Sequence, residues 1–342
     1  MRAIGLYRYL PIEDPESLID LEIATPIPEG RDLLVKVQAV SVNPVDVKVR
    51  APKSQVEQSP RILGWDVAGV VAQIGSECTL FKPGDEVYYA GSIRRPGGDS
   101  EYHLVDERIV GHKPKSLDFA QAAALPLTSI TAWEALFDRL GIAHQADQNA
   151  GKSLLIIGAA GGVGSIATQL AHLARLTVIG TASRPESVQW AREHGAASTI
   201  SHREAFLPQL KRLGFERVDY IFCLNSTEKH WRNMAEVIAP QGKICSIVEM
   251  GEPVDLTALQ RKSVTFVWEW MFTRAFYQTG DMIEQHHLLN KLADLVDAGK
   301  IGTTLSERLE PITAANLRRA HKQVEMGSMM GKIVLENFPI ES

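Results

Sequence analysis

Residues 158–164, Gly158-Ala159-Ala160-Gly161-Gly162-Val163-Gly164, constrain this chain more than any other stretch. An apolar run at 153–157 stands immediately before them, and residues 164–174 read as an amphipathic helix directly after. Glycine at a strand-to-helix turn permits a tight bend and a close backbone approach. The helix that follows presents free N–H groups and a positive dipole end to an anion. The spacing here is G-x-x-G-G-x-G rather than the plain G-x-G-x-x-G. Runs of strand length at 153–157, 176–181, 218–224 and 243–248 alternate with helix-like stretches at 164–174, 186–194 and 229–238. That alternation predicts an α/β fold with a parallel, doubly wound sheet. In that setting the turn reads as a dinucleotide site, with Gly158, Ala160, Gly161, Gly162, Val163 and Gly164 around the pyrophosphate.

The next strand end indicates which dinucleotide. An NAD site usually carries an acid about 20 residues on, holding the ribose 2′-hydroxyl. Here the run 178–181 leads into Ala182-Ser183-Arg184-Pro185, so a hydroxyl and a guanidinium stand where the acid would be. Ser183 and Arg184 suit a 2′-phosphate, and NADPH is the expected cofactor. A solvated loop residue is the other reading of Arg184, and Glu186 two positions on softens the preference. Asn225 falls just past a strand of the expected sheet, where such sheets bind ligands.

The remainder reads differently. Residues 1–125 are β-rich, with strands expected at 33–40, 67–74 and 86–90 between Gly- and Pro-marked turns. Short helices are expected at 118–125 and 128–140, longer ones at 282–298 and 314–326, and a strand at 332–336. A length of 342 residues suggests two domains. The 36 Lys and Arg against 41 Asp and Glu leave a formal charge of −5 with no basic stripe, which argues against nucleic acid as a partner. No apolar run approaches the roughly 18–20 residues of a membrane span. The first residues carry no cleavage site of small residues and are not read as a signal peptide. Cys78, Cys223 and Cys245 are far apart in sequence and suggest a reducing, cytoplasmic setting.

Four motifs in order complete the reading: Asn43-Pro44-Val45-Asp46, Gly64-Trp65-Asp66-Val67-Ala68-Gly69-Val70-Val71, Pro83-Gly84-Asp85-Glu86-Val87 and the glycine turn. Together with Gly331-Lys332-Ile333-Val334-Leu335, they make the chain resemble the medium-chain dehydrogenase/reductase superfamily, in its quinone oxidoreductase-like branch. The resemblance implies a GroES-like catalytic domain in residues 1–125, completed by 271–342, around a Rossmann NADPH-binding domain in 126–270. It implies that Asn43 and Asp46 lie beside the nicotinamide or substrate, and that Thr128, Thr131, Gly331 and Lys332 contact the cofactor. Lys48 is either an oxyanion donor or a solvated side chain, and Asn43-Pro44 is otherwise a strand-ending turn. Helix capping is the rival reading of the two threonines. Relatives commonly form homodimers through their sheets, so residues 243–250 and 263–271 are candidate interface strands. The aromatic run 266–272 either lines a substrate pocket or is buried between subunits.

The departures from the family pattern carry the chemistry. Zinc-dependent alcohol dehydrogenases have a Cys near the position of Asn43 and Gly-His-Glu where this chain has Gly64-Trp65-Asp66, and residues 90–103 contain no cysteine for a structural zinc. The expectation is a zinc-free site in which Trp65 fills the vacated space. Alkoxide stabilisation suits a metal, whereas a conjugated acceptor spreads its charge onto oxygen and needs only hydrogen-bond donors. The expected activity is NADPH-dependent reduction of quinones or α,β-unsaturated carbonyls. A zinc alcohol dehydrogenase and a non-catalytic NADPH-binding redox sensor are the alternatives.

Overall fold

The computed structural model describes residues 1–339. The chain divides into two units, Met1–Ile130 together with the stretch from Phe272 onward, and Thr131–Met271.

The second unit is built on a six-stranded, wholly parallel sheet. Its strands run in the order Ser198–Ile200, Thr177–Thr181, Ser153–Ile157, Val218–Cys223, Ile238–Ser246 and Thr265–Trp268. The alternation in the sequence produces this fold, as expected. Strand Ser153–Ile157 is buried throughout, which is why it reads as an unbroken apolar run rather than an alternating one. Helices Gly162–Leu173, Pro185–Glu193, Phe206–Arg212 and Thr227–Val237 connect the strands. Phe206, Trp231 and Met234 pack with Leu155, Ile179 and Ile221 in its core. The strand expected at 243–248 begins earlier, at Ile238, through a kink with Gln241 at positive φ.

The first unit is β-rich. A seven-stranded sheet carries Leu305–Leu309, Lys332–Glu336, Asp32–Ser41, Val67–Ile74, Glu86–Tyr89 and Gly111–His112 in that order, with Tyr102–Asp106 also paired to Asp32–Ser41. A smaller sheet joins Ile19–Glu22, Arg2–Tyr9 and Lys53–Ile62. Two registers matter for the site. Val334 lies opposite Ser41 and Val67 opposite Val40, so the residues just before each neighbouring strand converge on the end of Asp32–Ser41.

The stretch expected to be one helix over 128–140 is α-helical from Pro126 to Trp133 and then widens into a π-helical turn, Glu134–Arg139. Among the described residues, no helix is long and apolar enough to cross a membrane.

Candidate active site

The chain leaves strand Asp32–Ser41 and turns at once into helix Pro44–Arg50. The alternating valines of this segment look like a strand, but three features impose a helix. Pro44 sits at the first helical position, Asn43 has extended backbone at the N-cap, and the Asp46 carboxylate accepts from the Asn43 N–H at 2.7 Å. The other Asp46 oxygen accepts from the Gly64 N–H at 3.0 Å, tying the helix to the Gly64-Trp65-Asp66 turn. Gly64 has φ of 103°, and a Cβ built there would stand 2.5 Å from an Asp99 carboxylate oxygen, so only glycine fits.

Beside this turn lies a closed polar cluster. Lys332 Nζ donates to Asp66 Oδ2 at 3.0 Å, to the Val42 carbonyl at 3.1 Å and to Asn43 Oδ1. The Asn43 amide nitrogen donates to Asp66 Oδ2 at 2.7 Å, and the other Asp66 oxygen takes the Leu127 N–H at 2.7 Å. Asn43, Asp46, Asp66 and Lys332 are all buried. Burial pushes the Asp66 carboxyl up, with the Lys332 charge opposing it. Burial lifts Asp46 to about 7, opposed by the Asn43 N–H and Lys332, and raises Asp99 well above the carboxylate range.

This arrangement also engages the Asn43 amide: both of its ends are bonded within the protein, and it holds the end of the strand. Asp46 likewise serves the backbone. Lys48, on the same helix, is exposed. Lys332 points its ammonium into the cluster, and Gly331, at φ of 59°, supplies the turn that brings it there. Trp65 is buried, donates to the Ser92 carbonyl at 3.4 Å, and meets the Phe272 ring edge-on at 6.2 Å. Among the described residues, no group of three or more His, Cys, Asp or Glu side chains is gathered to hold a metal. His286 Nδ1 donates to the Val110 carbonyl at 2.6 Å, and its neighbour His287 is exposed.

In the second unit the glycine turn fits a dinucleotide by its own geometry. Gly158 has φ of 92°, and its N–H is held by Thr181 Oγ1 at 3.0 Å. A Cβ on Gly164 would stand 2.3 Å from the Gly158 carbonyl, whereas one on Gly161 would meet nothing closer than 3.6 Å. Gly164 therefore seats the helix against the turn, and Gly161 leaves an open cradle in front of it. Gly161, Gly162 and Val163 are half-buried, and helix Gly162–Leu173 starts at this point. Ala160 is buried behind them. Asn225 stands beside Gly158, its Cβ 4.0 Å from where a Cβ of Gly158 would be.

Asn225 also lines a cavity of about 670 Å³ with Arg203, Lys229, Arg232, His202 and His230. Glu204 and Glu236 are the acids on its wall. Sequence reasoning missed this cationic cavity because its walls come from two separate stretches, 202–205 beyond strand Ser198–Ile200 and 225–236 beyond strand Val218–Cys223. Ser183 is half-buried, and Arg184 is exposed at the N-cap of helix Pro185–Glu193; neither lines the cavity. Thr128 and Thr131 are buried on one helix, and Thr128 Oγ1 donates to the Leu125 carbonyl at 3.0 Å.

The same unit contains a buried acid pair. Glu134, in the π-helical turn, and Glu269, just beyond strand Thr265–Trp268, share Arg139, whose Nε is 2.8 Å from Glu269. Burial and the Glu134 charge lift Glu269 to about 9, and burial with Glu269 pushes the Cys245 thiol far up.

Comparison with known proteins follows the same lines. Residues 29–115 match the alcohol dehydrogenase GroES-like domain and residues 194–335 match the zinc-binding dehydrogenase family. A zinc-type alcohol dehydrogenase-like protein of Staphylococcus aureus is 44% identical over 335 residues, covering 98% of this chain and 99% of that protein. Human quinone oxidoreductase is 36% identical over 225 residues, 65% of each chain. A solved structure from Rhizobium etli, described as a zinc-dependent alcohol dehydrogenase, superposes with a TM-score of 0.94 at 49% identity, covering 99% of both chains. Escherichia coli quinone oxidoreductase in complex with NADPH shares the fold, with a TM-score of 0.80 at 24% identity over 98% of this chain and 100% of that one.

Proposed function

This chain belongs to the medium-chain dehydrogenase/reductase superfamily of oxidoreductases, and we propose that it is an NADPH-dependent, zinc-independent reductase of quinones or α,β-unsaturated carbonyls. One observation carries the reading. Where zinc-dependent relatives place cysteine and histidine ligands, this chain has Asn43 locked between Asp66 and Lys332, and Trp65 packed against Phe272. Hydrogen bonding is then the means left to stabilise negative charge on an acceptor oxygen.

The bound NADPH supplies a hydride; the chain supplies the rest. The cradle at Gly161 and the start of helix Gly162–Leu173 suit a pyrophosphate. The cations near Asn225 and the Ser183–Arg184 strand tip both suit the 2′-phosphate. Thr128, Thr131, Gly331 and Lys332 remain candidate cofactor neighbours, the lysine through the cluster it closes. Asp46 and Asn43 fix helix Pro44–Arg50, and Lys48 on that helix is the donor assigned to the acceptor oxygen. Strand Thr265–Trp268 is an open sheet edge with Trp268 and Trp270 exposed, which supports a homodimer through that edge.

Steady-state oxidation of NADPH against a panel of quinones and enals tests the activity. Deuterium from labelled NADPH is expected on the β-carbon of an enone product. Label on the carbonyl carbon of a saturated ketone would overturn the assignment.

A further inference from the structure

We propose that the first unit carries a second small-molecule site, for a singly charged aromatic carboxylate, in the cavity between the Ser92–Arg95 loop and the turn that ends helix Thr273–Tyr277. The cavity measures about 270 Å³, enough for one ring and its carboxylate, near the lower end of the range for ligand sites. Leu104, Ile109 and Met282 give it apolar walls, with Phe276 beside them. Neither Asn43 nor Trp65 lines it, and all of its walls belong to the first unit. It is therefore independent of the dinucleotide reading.

The charge bookkeeping selects the ligand. Arg95 is held by both oxygens of Asp32, at 2.7 and 2.8 Å. Asp106 is held by Arg108, at 3.0 and 2.8 Å. Arg94 makes no ion pair among the described residues. Its guanidinium lies 4.7 Å over the Phe276 ring and donates to the Phe276 carbonyl at 3.3 Å, a long bond. One uncompensated cation thus stands on an aromatic plate at the rim of a pocket with both polar and apolar walls. A guanidinium in that position binds a planar carboxylate through two parallel hydrogen bonds while the ring of the ligand meets the apolar walls.

Calorimetric titration of the full chain with benzoate, in the presence of saturating NADPH, tests the site. Saturable one-to-one binding is expected, with benzamide at least tenfold weaker. Arg94→Ala should weaken benzoate at least tenfold and Arg94→Glu should abolish its binding, both with unchanged near-UV circular dichroism because Arg94 is exposed. Arg94→Lys should retain part of the affinity. No saturable binding to the parent protein, equal affinity for benzamide, or binding indifferent to Arg94→Glu would each overturn the proposal.

Discussion

Lys332 Nζ lies 3.0 Å from Asp66 Oδ2, and both side chains are almost wholly buried. A buried pair of this kind adds little over an apolar core, but breaking it strands a charge. Lys332→Met is expected to destabilise the protein by about 3–5 kcal/mol, read as a lower urea midpoint. Asp66→Asn combined with Lys332→Met should recover a large part of that loss. A double variant no more stable than Lys332→Met would show that packing, not the charge pair, sets the cost.

Two buried acids make stability fall as pH rises. Asp46 moves from 3.8 when unfolded to about 7 in the fold, and Glu269 from 4.5 to about 9. Each therefore favours the fold while protonated, and that contribution fades from the unfolded pKa up to the folded one, at about 1.4 kcal/mol per pH unit per proton. Glu269→Gln should remove the decline between pH 7 and about 9. Denaturation midpoints of the variant and parent that fall in parallel across this window would contradict the assignment.

The glycine turn separates seating from binding. Gly164→Ala forces a Cβ to 2.3 Å from the Gly158 carbonyl and should destabilise the second unit by several kcal/mol, on the order of other overpacked cores. Gly161→Ala has room and an ordinary φ of −75°, so thermal stability should hold while NADPH binding weakens. Parallel losses of stability in both variants would deny the open cradle.

Cofactor choice has two candidate readers. A charge-assisted contact to the 2′-phosphate is worth roughly 1.5–3 kcal/mol, so Arg184→Ala or Lys229→Ala should weaken NADPH about tenfold or more and leave NADH nearly unchanged. Burial lowers His202 and His230 below the usual imidazole range. A phosphate beside them should restore their protons, and calorimetry in buffers of different ionisation enthalpy should then register proton uptake with NADPH alone.

Lys48→Ala should lower kcat about tenfold, less than the roughly 3–4 kcal/mol lost with a chief oxyanion donor, because Lys48 is exposed. Atomic absorption of the purified protein should find no stoichiometric zinc. Zinc lost together with activity on chelation would contradict the mechanism.

The parallel sheet was legible because its central strands are buried on both faces and its helices carry their own periodicity. Helix Pro44–Arg50 was harder to read: Val45, Val47 and Val49 alternate like a strand, and only the pairing of Asn43 with Asp46 across the N-cap reveals the helix. Strand Lys53–Ile62 is largely exposed and polar, so it carries no apolar signal at all. The Asn43–Asp66–Lys332 cluster spans 289 residues between its first and last members, a proximity that local patterns do not encode. The acid pair at Glu134 and Glu269 depends on a π-helical turn whose residues look like ordinary helix.

The order in which a ribosome releases these segments gives the sheet register a further consequence. The second unit is one continuous stretch of chain, so its six parallel strands are all available before the first unit is complete. The first unit must wait. Its central strand, Asp32–Ser41, has an open flank at residues 39–41 until Lys332–Glu336 emerges and pairs there. Until then Asp66 faces that flank without its cation, so early closure would trap a lone carboxylate in an apolar core. The late arrival of Lys332 thus makes the pairing of strand Lys332–Glu336 the step that commits the nascent first unit to its fold.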